Sequence, residues 1–421
     1  MPLVIYDKRF LIWWGISLYL FQLGSRRQLD FDLDDRGTQV LNNLNRFAQT
    51  EQETRPVHDT LDHFLEHSGA APYAELRTRM LHRLIRMKSL DAARLQGRFV
   101  VALDATGHLA FRRRHCPKCL VHRHATHTTY LHQVLEAKLL GPAGLTLSMA
   151  SEFIENSDSN CALSGEARKQ DCELKALSRL LPRLRQDFPQ LRLCLSGDSL
   201  YACGRTLQLA NEFGCNYVLT LKPGHMPAVW HDFQSLLKLC PENTVTRTTP
   251  KGVHQVYRWV SDLSYRDDQG RTWRFSAIEC KETVDDQTTT FAWITNLTVD
   301  ARKVEELATK GGRHRWHIEN QGFNRQKNSG LNLEHAFSTD PERLKAYYYL
   351  LQIAHIVLQI FEVGSLLRDA AAEFGRTPMQ LFGSLTNLAC RLLEAIRYIV
   401  LSNEVFDPSR AGSTPIRFNT S

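Results

Sequence analysis

Hydrophobic positions divide the chain into stretches of different period. Phe10 to Leu23 reads FLIWWGISLYLFQL, an apolar run of 14 residues. A membrane span needs about 20 such residues. Gly24-Ser25-Arg26-Arg27-Gln28 follows instead of a small-residue cleavage site. The run therefore predicts a buried N-terminal helix. Residues 30–92 keep helical spacing: Asp59-Thr60 precedes LDHFLEH, and AELRTRMLHRLIRMKSL places its apolar residues three and four apart. The period then shortens. Gly97 to Asp104 is a β-branched apolar run ending in an acid. YLHQVLEAKLL (130–140) and LTLSMASEFIE (145–155) read as strands joined by the turn Gly141-Pro-Ala-Gly144. ELKALSRLLPRLRQDF (173–188) is an amphipathic helix in which Pro182 predicts a kink. LRLCLSGDSL (191–200) is a strand with an acid near its end, TLQLANEFG (206–214) a helix and NYVLTLKPG (216–224) a strand.

This order, β-β-β-α-β-α-β, matches an RNase H-like core, a mixed α/β sheet. Between 225 and 300 the pattern alternates in VHQVYRWVSDL, TWRFSAIECK and TTTFAWITNL, around the turn Asp267-Asp-Gln-Gly270. These predict an all-β insertion. From 301 the chain reads helical again, with a final helix near 382–402 and a tail, DPSRAGSTPIRFNTS, expected to be disordered. The predicted organisation is a helical region over 1–94 and the first part of the core over 95–224. The β-rich insertion covers 225–300, and the second part of the core 301–366. A C-terminal helix and tail occupy 367–421.

Composition narrows the class. The 421 residues are 43% hydrophobic and 23% charged, globular rather than disordered. A net charge of +7 permits a polyanionic partner without establishing one. Ten cysteines in so long a chain are too sparse for a disulfide scaffold, and several lie in apolar runs, as in Leu193-Cys194-Leu195. They suit a reducing compartment. No P-loop lies near a strand, and no nucleophilic Ser or Cys has an evident base.

Chemistry concentrates in three acids. Asp104 and Asp198 end the first and fourth core strands, which lie side by side and parallel in the expected fold. Two close carboxylates repel unless a cation sits between them, and hard oxygen ligands suit Mg²⁺ or Mn²⁺. Glu319, in Arg313-His-Arg315-Trp316-His-Ile-Glu319-Asn320, would complete a two-metal site for displacement at phosphorus. Arg315 and Glu319 are four apart and share a helix face. Taken singly, each Asp could be a turn or helix cap, and the Arg–Glu pair a surface ion pair.

Other residues are less specific. Arg112, Arg113, Arg114, Lys118 and Arg123 form a basic loop that could neutralise DNA phosphates or simply be solvated. Within it, Cys116, Cys119, His122 and His127 could make a structural zinc site, or a reduced His-rich loop. Asp171 and Glu173 open a helix; they suit its dipole, or could lie beside a DNA end. Lys222 follows the fifth strand, as a phosphate contact or a turn lysine. Trp293 and Tyr347-Tyr-Tyr349 read as packing.

Over about residues 95–360 the chain resembles insertion-sequence DDE transposases, in the group with a β-rich insertion and a Tyr-Arg-Glu-Lys signature. That signature is Tyr, two residues, Arg, three residues, Glu, six residues, Lys. Arg315 and Glu319 match it. Gly312 stands at the Tyr position and Gln326 at the Lys position, with Lys327 beside it. Either Lys327 reaches DNA on its flexible stem, or the helix runs in a different register. Trp316 to Asn328 and Phe291 to Leu297 also resemble the family. The resemblance implies two Mg²⁺ or Mn²⁺ ions held by Asp104, Asp198 and Glu319. It implies cleavage at element ends and strand transfer into target DNA, with Arg315, Lys327 and Trp316 on the DNA and the helical 1–94 region binding the ends. It further implies a homodimer on double-stranded DNA, in a prokaryotic cytoplasm, associated with the nucleoid and with no membrane. The alternatives are an RNase H-like nuclease without strand transfer, and a catalytically inactive DNA-binding derivative.

Overall fold

A computed structural model describes residues 6–156, 170–250, 252–401 and 416–418. The described chain is mixed α/β. Its eleven strands form one mixed sheet: β1 (Arg94–Leu95), β2 (Arg98–Phe111), β3 (Leu120–Arg123), β4 (Thr128–Leu140), β5 (Thr146–Ile154), β6 (Leu193–Gly197), β7 (Asn216–Thr220), β8 (Thr244–Thr248), β9 (His254–Arg266), β10 (Thr272–Val284) and β11 (Gln287–Thr295). The spatial order is β3-β4-β2-β6-β7-β11-β10-β9-β8, with β5 also on β4 and β1 on β2. β2, β4 and β5 are antiparallel neighbours, whereas β2–β6 and β6–β7 are parallel.

Strand alternation sends Phe99, Val101 and Leu103 of β2 to one face, against the helices Ala71–Arg86 and Glu173–Asp187. Val100 and Ala102 face the other way, against a helical run over 304–328. That run closes tightly on the sheet because Gly311 and Gly312 lack side chains. A Cβ on Gly311 would meet Val218 at 2.8 Å, and one on Gly312 would meet the Trp293 ring at 2.4 Å.

The N-terminal run forms the helix Lys8–Leu20, capped by Asp7 and largely buried. It packs with the helix Pro341–Val363 in a second core. Pro341–Val363 has the length and apolarity of a membrane span, yet 72% of its most apolar window is buried inside the protein.

Several expectations need correction. β2 does not end at Asp104; it continues to Phe111, because past Ala102 it leaves β6 and stays paired with β4. The 225–300 segment is not all β: Pro227–Leu236 is a helix with proline at its first turn, where a missing N–H costs nothing. Its strands are not a separate sheet either, since β11 pairs antiparallel with β7. Most of the expected disordered tail lies outside the described residues, but Phe418 is buried and bridges Gly364.

Charges are buried where β4 and β5 meet the helices. Lys138 is fully buried, donates to Gln352 at 3.2 Å and lies 5.1 Å from the centre of the Phe323 ring. Glu136, equally buried, accepts from Tyr348 at 2.8 Å and from Ser151. Buried Arg77 donates to Ser148 and Ser151 at 3.0 and 2.5 Å. Glu136 is the anion between two buried cations. Glu136→Leu should therefore destabilise the fold by about 3–5 kcal/mol, measured as a lower denaturation midpoint in urea.

Candidate active site

Asp104 and Asp198 are set by the strand register. β2 and β6 pair from Phe99↔Leu193 to Ala102↔Ser196, an offset of 193 − 99 = 94 residues. The two aspartates are separated by 198 − 104 = 94, so each lies two residues beyond the last pair, at equivalent positions. Alternation gives Asp104 the same face as Val100 and Ala102, which the 304–328 run covers. Ser196 on β6 donates to the Gly311 carbonyl at 2.6 Å and ties that run to the strand.

Arg315 and Glu319 come from this run. The Arg315 guanidinium stands 2.8 Å from Glu319 and 3.7 Å from Asp104, so one cation bridges the two acids. Burial pushes the Asp104 carboxyl up to about 7; Arg315 opposes this, while Glu319 and Glu173 add to it. Asp198 accepts from the Leu200 amide at 2.9 Å, so one of its oxygens does act as a cap. Among the described residues, Asp104, Asp198 and Glu319 do not bring one oxygen each within 4.8 Å of one another.

Glu173 joins them. Its carboxyl is raised by burial, lowered by the Tyr201 hydroxyl that donates to it at 2.8 Å, and raised again by Asp198. Tyr201 in turn has its hydroxyl raised well above its ordinary value by burial and by Glu173, Asp104 and Asp198. A fourth acid and a tyrosine thus belong to this end of the sheet. In the sequence Glu173 reads as a helix-opening acid or, with Asp171, as a residue near the acidic site or a DNA end, and nothing separates the two; Tyr201 carries no signal.

Packing sets which residues stand at positions 312, 326 and 327. The space beside Gly312 is filled by Trp293, so no larger residue fits there. Ile318–Asn324 is a π-helical turn, which takes one residue more than an α turn. Seven residues make two α turns; with one π turn, eight are needed, and Lys327 is eight beyond Glu319. Gln326 faces inward instead, fully buried and bonded to Gln352 and His355 at 2.8 Å each. Lys327 is paired with Glu334 at 2.7 Å. Trp316 is exposed, and Lys222 lies exposed in the turn after β7. Asp171 is turned away from the acids, paired with Arg179 at 2.6 Å.

The basic loop is elsewhere. Arg112, Arg113 and Arg114 are exposed beyond the far end of β2, seven residues and roughly 23 Å along the strand from Asp104. Lys118 pairs with Glu342 at 2.6 Å. Cys116 and Cys119 do come together, with Sγ atoms 3.4 Å apart, but His122 and His127 are exposed and point away. His122 is left in solvent because β3 is only four residues long and its burial runs out along the strand, from Leu120 inside to His122 and Arg123 exposed. His115 and His132 stand beside the cysteines instead. No protein-family model matches the chain, and no curated protein matches it.

In the metal-free protein Asp104 binds its proton more tightly folded than unfolded. Between the unfolded value of about 3.9 and the folded value of about 7, stability therefore falls as pH rises. Asp104→Asn removes that penalty. It should raise Tm relative to the parent at pH about 8, and leave it nearly unchanged below pH about 4, as read by thermal denaturation in chelator.

Proposed function

We propose that the protein is a metal-dependent DNA-cleaving enzyme of the DDE transposase kind, built on an RNase H-like core. The observation that carries the reading is the shared 94-residue offset, which sets Asp104 and Asp198 each two residues past the last β2–β6 pair, beside the helical run of Arg315 and Glu319. The order β5-β4-β2-β6-β7, three antiparallel neighbours followed by two parallel ones, is the order such a core requires. Strands β8–β11 then represent the family's β-rich insertion.

The donor set fits a hard divalent cation: carboxylate oxygens only, with the proton affinity of Asp104 raised by burial and neighbouring acids that a cation would neutralise. Bound Mg²⁺ or Mn²⁺ would supply Lewis-acid activation of a water or 3′-hydroxyl and neutralise the leaving oxygen. Asp104 and Asp198 are the fixed carboxylates, one within β2 and the other capping the turn directly after β6. Glu319, about half exposed, is the movable one. Arg315 holds Glu319 in the absence of a cation. Once Glu319 turns to the aspartates, the planar guanidinium is left to clamp a DNA phosphate. Lys327 adds a second phosphate contact as a point charge on a flexible stem. Glu173, steadied by the Tyr201 hydroxyl, adds negative charge behind Asp198 and favours its cation-bound form.

The test is incubation with labelled element-end DNA and Mg²⁺, resolving nicked, excised and joined products. Joined products are expected from the parent, and cleavage should be lost in Asp198→Asn. Arg315→Lys should lose cleavage with the fold kept, because lysine lacks the bidentate fork. Cleavage without joining would favour the nuclease. Undiminished cleavage by Asp198→Asn would overturn the site.

A further inference from the structure

At the far tip of the sheet, four side chains from three elements point at one spot. Cys116 and Cys119 lie in the turn entering β3, His115 in the loop leaving β2, and His132 on β4, whose neighbour on β2 is Leu109. Their atoms form a small polyhedron. Cys116 Sγ to Cys119 Sγ is 3.4 Å, and His132 Nε2 lies 3.4 Å from Cys116 Sγ and 3.6 Å from Cys119 Sγ. His115 presents Nδ1 to Cys119 Sγ at 3.4 Å and Nε2 to His132 Nε2 at 3.3 Å.

A tetrahedral Zn²⁺ with Zn–S near 2.3 Å and Zn–N near 2.05 Å has edges of about 3.8 Å between sulfurs, about 3.6 Å between sulfur and nitrogen, and about 3.3 Å between nitrogens. The three edges of the Cys116–Cys119–His132 face agree with these to within about 0.4 Å, and with one His115 nitrogen as the fourth vertex all four ligand atoms lie within 4.8 Å of one another. Core packing alone gives no reason for two thiols and two imidazoles to crowd so closely. Cys119 is fully buried, and Cys116 and His132 nearly so.

We infer that His115, Cys116, Cys119 and His132 form a structural zinc site that pins the tip of the sheet. Two thiols lose their protons to solvent as Zn²⁺ binds, and two neutral imidazoles donate lone pairs. The dication and two thiolates sum to zero charge, which suits a buried position. The set S₂N₂ selects zinc over the hard cations of the acidic site.

The surroundings hold the ligands in place. Asn156 donates to the Cys119 carbonyl at 2.8 Å. Gln170 brackets Val121, its amide donating at 2.9 Å and its carbonyl accepting at 2.7 Å. The zinc would fix the start of β3 against β4 and β2, and with it the orientation of the exposed Arg112–Arg114 segment next to His115. This inference stands apart from the DNA reading, since zinc binding needs no DNA.

Protein purified under reducing conditions without chelator should carry about one zinc per chain by elemental analysis. Chelated protein titrated with Co²⁺ should give the intense visible d–d bands and thiolate charge-transfer bands of a tetrahedral S₂N₂ site. Cys119→Ser and His132→Asn should lose stoichiometric metal, whereas His122→Asn and His127→Asn should keep it. Because the cobalt spectrum is read on the parent chain, misfolding of a variant cannot decide the result. Absence of tetrahedral cobalt bands in the parent would overturn the site. So would loss of metal in His122→Asn or His127→Asn as complete as in Cys119→Ser.

Discussion

Parallel strands β2 and β6 share only four register pairs before β2 turns away to follow β4. The divergence opens a fork in the sheet, and backbone groups that would have continued the ladder give way to two carboxylates. Asp198 caps the turn after β6, while Asp104 remains mid-strand, held by its antiparallel partner. The strand thus fixes Asp104 in a partly dehydrated place, where its ionisation is costly. Arg315 relieves part of that cost, which is why the helix of Glu319 must lie on this face and close to it.

That closeness rests on glycine and on a buried lysine. Gly311 and Gly312 let the backbone of the 304–328 run approach Val218 and Trp293 without side chains between them. Further along, a Cβ on Gly322 would stand 3.5 Å from the Lys138 stem, and Phe323 covers the same lysine. Burial lowers the Lys138 ammonium to about 8, with Glu136 opposing. Lys138 bonds to Gln352, and Gln352 to Gln326, so one polar chain joins the sheet, the 304–328 run and the Pro341–Val363 helix. Such a network favours one seating of the helix, because any other leaves a buried charge unpaired.

The acidic cluster and the Cys/His cluster stand apart along one strand. β2 carries Asp104 near its middle and delivers His115 and the cysteines beyond its end. Carboxylates gather where the strands separate and solvent reaches them. Thiols and imidazoles gather where β2, β3 and β4 crowd together. The division matches hard and soft donors to wet and dry places.

Local periodicity in the sequence determined the strands of the core, the helix Glu173–Asp187, the buried N-terminal helix and the choice of Asp104, Asp198, Arg315 and Glu319. Each depends on near neighbours in the chain, which is what period and spacing report. Tertiary structure alone decided the rest. The 94-residue spacing of the aspartates was visible as a number, but acquired meaning only from an equal strand offset. Glu173 and Tyr201 entered the acidic end, and His132 displaced His122 and His127 beside the cysteines, because a partner across a sheet leaves no mark at any fixed spacing. Gln326 turned inward and Lys327 outward because a π turn shifts the helix register by one residue, a change that only the seating of Gln326 against Gln352 and His355 reveals.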